Sequence, residues 1–193
     1  MSMDNANPVV YKRSSSLTTT DSQKRLLDNE NAQALFHIDT TLLYEQCDRK
    51  NVDTSGPNDL FSPSTDFEPF EVSEIFDMIR NIKDPEYSYT LETLKIVEEE
   101  SIHIDQENYI ITVHFTPTVP HCSQATIIGL MIYVKLLQSL PPQFKIDVQI
   151  TEGSHNSEGA INKQLLDKER VAAALENPVL VNMINDGIYN NED

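Results

Sequence analysis

A single thiol on a proline-stiffened loop is the group in this chain best placed to do chemistry. Cys122 lies in Thr116-Pro117-Thr118-Val119-Pro120-His121-Cys122-Ser123-Gln124, directly before the apolar run Ala125 to Val134. Pro117 and Pro120 fix φ and push the residues before them toward extended backbone, so a helix over the apolar run cannot extend backwards through the loop. Ser123 is a good N-cap residue for that helix. Cys122 would then face unpaired N–H groups at the positive end of the helix, surroundings that favour thiolate over thiol. A thiolate is a nucleophile and a soft metal ligand. Cys122 is therefore the candidate for metal contact, His121 is the candidate for tuning it, and Pro117, Pro120 and Ser123 support the loop. The plainer reading makes Cys122 a small buried hydrophobe, as free cysteines often are.

The other histidines offer less. By strand alternation His103 shares a face with Asp105, and His114 lies between Val113 and Phe115, so a solvated sheet face accounts for both. His155 falls on a loop, Thr151 to Glu158, where helix capping by Ser154 or Ser157 is the ordinary expectation. A Cys–His hydrolase would need an imidazole within reach of the thiol and a third group to orient it. His121 points away from its neighbour in an extended loop, so His114 or His155 would have to fold in. No Gly-rich phosphate loop, acid pair or nucleophile elbow accompanies the thiol, and no catalytic residue is assigned.

Composition narrows the partners. The 193 residues carry a formal charge of −17, which argues against binding nucleic acid or anionic membrane. Residues 71–193 hold eight Lys and Arg against twenty Asp and Glu, so −12 of that charge falls there. Two cysteines, Cys47 and Cys122, leave no disulfide framework and no four-thiolate site within one chain. That usage suits a reducing compartment. The N-terminus has neither the basic nor the apolar region of a secretory signal, and the longest apolar run is too short to span a bilayer.

The elements that must hold the loop follow from periodicity. Residues 1–68 are rich in Ser, Thr, Asn and Asp without a sustained apolar period, which reads as a disordered tail. Short apolar islands interrupt it at Ala34 to Tyr44 and at Asn7-Pro8-Val9-Val10-Tyr11. From Glu71 a domain begins and extends to residue 193. Val72, Ile75, Phe76, Ile79 and Ile82 mark an amphipathic helix ended by Asp84-Pro85. Leu91 to Val97 suggests a turn and a short strand. Ile102 to Asp105 and Tyr109 to Phe115 alternate as a hairpin. The helix behind the cysteine loop runs to about Ser139, and Phe144 to Ile150 is the next strand. Helices are expected from Ile161 to about Glu176 and from about Val179 to Ile188. The order α-β-β-β-α-β-α-α describes an α+β fold, a small mixed sheet covered by helices.

The loop and its surroundings closely resemble one family. Thr116 to Ser123 with Ala125-Thr126-Ile127-Ile128-Gly129-Leu130 is similar to the eukaryotic cytosolic iron–sulfur assembly targeting subunit, the Cia-two family, whose members carry a SufT-like domain. Glu74 to Arg80 with Ile82 to Glu86, Leu136 to Pro141, and Ile161 to Leu165 with Asp167 to Asn177 resemble it too, so the likeness covers nearly everything from Glu71 onward. Asn5-Ala6-Asn7-Pro8-Val9-Val10-Tyr11 resembles the N-terminal motif of B-type members, which implies a docking role for Asn7, Pro8 and Tyr11.

The resemblance implies a non-enzymatic adaptor, cytoplasmic and also nuclear. It implies a WD-repeat propeller scaffold and a HEAT-repeat adaptor as partners. Their shared task would be delivery of [4Fe–4S] clusters to apoproteins such as DNA polymerases, primase and helicases, with an indirect link to chromosome segregation. The family's reactive cysteine falls on Cys122 and its histidine on His121. A homodimer is compatible with this reading. Ser123 stands where bacterial SufT-like domains commonly have proline, and Thr90 to Leu94 replaces their glycine-containing Asp-Leu-Gly-Leu segment, so no bacterial ligand set is carried over. A [4Fe–4S] cluster takes four thiolates, so any cluster here is a transient cargo and not a resident cofactor. The alternative function is an inert scaffold subunit of a chromatin or degradation complex.

Overall fold

The computed structural model describes residues 8–12 and 69–189. Most of the tail, including Asn7, Cys47 and the island 34–44, lies outside the described residues. Helix α1, Val72–Ile79, turns Ile75, Phe76 and Ile79 into the core. Its first turn is closed by the Glu74 carboxylate, which accepts the Glu71 N–H at 3.0 Å. A short 3-10 turn, Glu99–Ser101, leads into β1, Ile102–Asp105, and β2 follows at Ile110–Phe115. The Asp105 carboxylate accepts the Glu107 and Asn108 N–H groups, which sets the hairpin turn.

After the cysteine loop come α2, Ala125–Ser139, and β3, Lys145–Ile150. Helices α3, Glu158–Leu166, α4, Lys168–Leu175, and α5, Pro178–Tyr189, complete the described chain. The three strands form one mixed sheet in the order β1-β2-β3, with β1 antiparallel and β3 parallel to the central β2. The expected α+β class is the observed one.

Alternation decides the two faces of the sheet. Ile102, Ile111, Val113, Phe115, Ile146, Val148 and Ile150 are buried beneath the helices. His103, Thr112, His114, Asp147 and Gln149 take the outer face, as their spacing required. The rings of His103 and His114 meet edge-on there, 5.8 Å between centroids. Helix α2 is apolar nearly all round and buries Ile128, Leu130, Met131, Ile132, Val134 and Leu136, which makes it the central rod of the domain.

Three local expectations need correction. No strand forms over Leu91–Val97. Those residues make tight turns, with Lys95 at φ 53° and Leu91, Leu94, Ile96 and Val97 buried. Their apolar side chains fill the core without pairing into the sheet. The helix expected over 161–176 is two helices: Asp167 takes an extended backbone and its carboxylate accepts the Glu169 and Arg170 N–H groups, capping α4. Ser123 does not cap α2. Gln124 holds the N-cap position in a helical backbone conformation, without a side-chain cap bond.

Candidate functional site

The parallel pairing of β2 and β3 assembles the site. Phe115 and Ile150 are register partners at the carboxyl ends of their strands, so the loops that follow, 116–124 and 151–157, leave the sheet side by side. Carboxyl ends of adjacent parallel strands are where α/β sheets habitually build sites. The two loops are joined at their base: Thr151 N–H donates to the Phe115 carbonyl at 2.9 Å, and the Thr116 and Thr151 hydroxyls meet at 2.9 Å. Pro117 is buried, Pro120 is exposed, and Cys122 N–H turns back to the Val119 carbonyl at 3.2 Å.

Cys122 is only 7% exposed. Burial pushes its thiol above the ordinary cysteine value, opposed by the N–H groups of Gln124 and Ala125 at the start of α2. The carboxylates of Asp84 and Glu86 raise it further. The expected helix-end environment is therefore present, but it is outweighed. Removing a thiolate from water costs more than two peptide dipoles return, and the charges facing the sulfur are negative. Burial and the carboxylates therefore run against the activated-thiolate expectation and favour thiol over thiolate.

The hydrogen bond of His121 goes to the neighbouring loop. Its exposed ring takes Asn156 as partner, Nδ1 to Nδ2 at 3.0 Å. His155 folds in, as a hydrolase would have required, but its Nε2 lies 3.2 Å from the Cys122 carbonyl oxygen. Both ring contacts thus go to groups other than the thiol. Ser157 precedes α3 without a side-chain cap bond, and its N–H donates to His155 Nδ1 at 3.0 Å. Asp84 is buried, and its carboxylate accepts the N–H groups of Glu86 and Tyr87 at 2.8 and 2.9 Å. Burial raises the Asp84 carboxyl above its usual range despite those bonds.

Asp84, Glu86 and Asn156 are thus neighbours of the thiol loop that periodicity and spacing missed, while His155 was weighed only as a base for the thiol or a capping-loop residue. By its local signals the Asp84-Pro85-Glu86 turn reads as a helix stop. Pairing β3 parallel to β2 is the signal that brings His155 and Asn156 beside the loop. No group of three or more His, Cys, Asp or Glu side chains among the described residues is arranged to hold a metal ion.

The described residues of the N-terminal motif, from Pro8 to Tyr11, meet the domain at the turn around Thr93. Tyr11 N–H donates to the Thr93 carbonyl at 2.8 Å, and Lys95 Nζ sits 4.5 Å from the centre of the Tyr11 ring. Val9 and Val10 remain 66% and 49% exposed.

A mixed three-stranded α+β domain, with a proline-bounded cysteine at the carboxyl end of its central strand, is the class this geometry defines. Residues 73–150 match the model of a family described as iron-sulfur cluster assembly protein. Protein AE7 of Arabidopsis thaliana is 52% identical over 152 residues, covering 78% of this chain and 94% of its own length. The cytosolic iron-sulfur assembly component 2B of Mus musculus is 52% identical, over 75% of this chain and 85% of its own. Its namesake in Dictyostelium discoideum is 42% identical over 97% of this chain and 99% of its own. The chain belongs to this family of iron–sulfur assembly proteins.

Proposed function

We propose that this protein is a non-catalytic adaptor of cytosolic iron–sulfur protein assembly, helping to pass [4Fe–4S] clusters to cytosolic and nuclear apoproteins. The observation that carries the reading is likeness at nearly full length to the Dictyostelium discoideum assembly component 2B. The geometry is compatible with an adaptor: the thiol has no general base bonded to it, and the chain's two cysteines fall short of the four a [4Fe–4S] cluster takes. The cluster is therefore cargo, contacted at Cys122 and held jointly with a carrier or client, with His121 on the exposed rim of the same loop. A WD-repeat propeller and a HEAT-repeat protein are the partners this role calls for. The acidic surface suits basic protein faces and not nucleic acid. Any effect on chromosome segregation would come through the clients.

The burial of Cys122 favours a second reading, in which the chain is a scaffold and the thiol is inert. Replacing the cellular protein with a Cys122→Ser variant separates the two. The adaptor reading expects loss of cluster insertion into client enzymes while propeller and HEAT-repeat partners still co-purify. Normal client maturation with Cys122→Ser would leave only the scaffold.

A further inference from the structure

The loop carrying Cys122 is poor in bonds of its own. Pro117 and Pro120 have no N–H to donate. The loop after β3 supplies what is missing. Asn156 N–H donates to the Pro120 carbonyl at 3.0 Å. The Asn156 side chain donates to His121 Nδ1 at 3.0 Å, and His155 Nε2 donates to the Cys122 carbonyl at 3.2 Å. One loop thereby holds three consecutive residues of the other.

The holding loop is itself well fixed. Ser157 N–H donates to His155 Nδ1, which places the ring proton on Nε2, where the Cys122 carbonyl accepts it. Ser154 Oγ donates to the Thr151 carbonyl at 2.6 Å, and Gly153 N–H donates to the Glu158 carboxylate at 2.7 Å. Gly153 has φ 76°, a left-handed conformation that suits glycine and allows this tight path.

We propose that His155 and Asn156 are positioning residues that latch the Cys122 loop in its sheltered position, and that release of this latch presents the thiol to its cargo. A metal–sulfur bond is about 2.3 Å long, so a cluster carried by another protein must touch the sulfur directly. At 7% exposure Cys122 does not offer that contact. The bonds that shelter it lie at the surface: His121 and Asn156 are exposed and His155 is half-buried. A partner surface or water can exchange for such bonds at small net cost, whereas the core beneath would have to unfold. The latch stands on geometry; its purpose rests on reading Cys122 as the cluster contact.

The test uses the full chain with Cys47→Ser, so that Cys122 is the sole thiol, and follows iodoacetamide alkylation at one fixed, mildly alkaline pH. His155→Ala is expected to speed alkylation about five- to tenfold, the effect of losing one hydrogen bond from the sheltered state. His155→Gln keeps a donor near the same place and is expected to stay within about twofold of the parent. Asn156→Ala keeps its backbone bond to Pro120 and is expected to accelerate the reaction about two- to fivefold. Unchanged alkylation in His155→Ala, or equal acceleration in the Gln and Ala variants, overturns the latch. Should His155→Ala fail to fold, Asn156→Ala decides alone: its side chain is exposed, and a rate equal to the parent's overturns the proposal. A Cys122→Ser protein that matures clients normally would remove the cluster reading and leave the latch standing. A thiol indifferent to both substitutions would do the reverse.

Discussion

Arg80 grips Glu92 with two parallel hydrogen bonds, Nε to Oε2 at 3.0 Å and Nη2 to Oε1 at 2.8 Å, with both side chains buried. Asp77 takes the remaining nitrogen, Nη1, at 2.8 Å, and the guanidinium lies over the Phe76 ring. The pair ties the end of α1 to the turn that replaces the expected strand. Removing one partner breaks a buried, two-bonded ion pair, which costs about 3–5 kcal/mol. Glu92→Leu and Arg80→Met are each expected to lose stability on that scale in urea unfolding. The double variant should lose less than the two single losses added together, because both halves of the buried pair are gone and only the more exposed Asp77 loses its partner.

Alkylation of Cys122 against pH reads the environment of the sulfur. The thiolate is the reacting form, and burial followed by Asp84 and Glu86 raises the pKa. The sign follows directly: at any pH near neutral the thiolate fraction is below that of a free thiol, and the rate rises only at higher pH. Asp84→Asn removes one of the negative charges and should move the profile to lower pH. A profile at or below that of a free cysteine would show that the helix end dominates after all.

Two glycines separate close packing from open space. A Cβ on Gly187 would lie 2.6 Å from Met131 Cε and 3.0 Å from the Lys83 carbonyl oxygen, where α5 docks and Gly187 itself accepts Lys83 N–H. Backbone cannot step aside easily, so Gly187→Ala is expected to destabilise by about 1–3 kcal/mol. Gly159, in α3, has nothing within 4 Å of an added Cβ. Gly159→Ala should be neutral or stabilising by up to about 1 kcal/mol. Thermal unfolding of the two variants checks the contrast.

Tyr11 ties residues 8–12 to the turn at Thr93 and Lys95. A cation over an exposed aromatic ring contributes about 0.5–1 kcal/mol. Lys95→Glu should therefore loosen the segment, seen as faster hydrogen exchange at the Tyr11 amide and easier proteolysis after Lys12. Global stability should change little, because Lys95 is also half-exposed where it pairs with Glu98.

Much of the fold was legible because its signals are local. Alternation in Ile102–Asp105, Ile110–Phe115 and Lys145–Ile150 specified three strands and their buried faces, and the proline pairs bracketed α2. Leu91 to Val97 misled for a related reason. Apolar residues mark burial, and a tight turn can bury them as well as a strand does. Asp167 was passed over because Val171, Ala172 and Leu175 continue an apolar pattern that does not register a one-residue break.

For the site, the sequence alone determined that one thiol stands on a stiff loop at the start of an apolar helix, and its motif pointed to iron–sulfur assembly. The state of that thiol was decided only in three dimensions. Which way β3 runs beside β2 placed His155 and Asn156 on the loop, and the turn after α1 brought the charges of Asp84 and Glu86 to bear on the sulfur. Desolvation and charge depend on what surrounds an atom, and those neighbours lie more than thirty residues away along the chain.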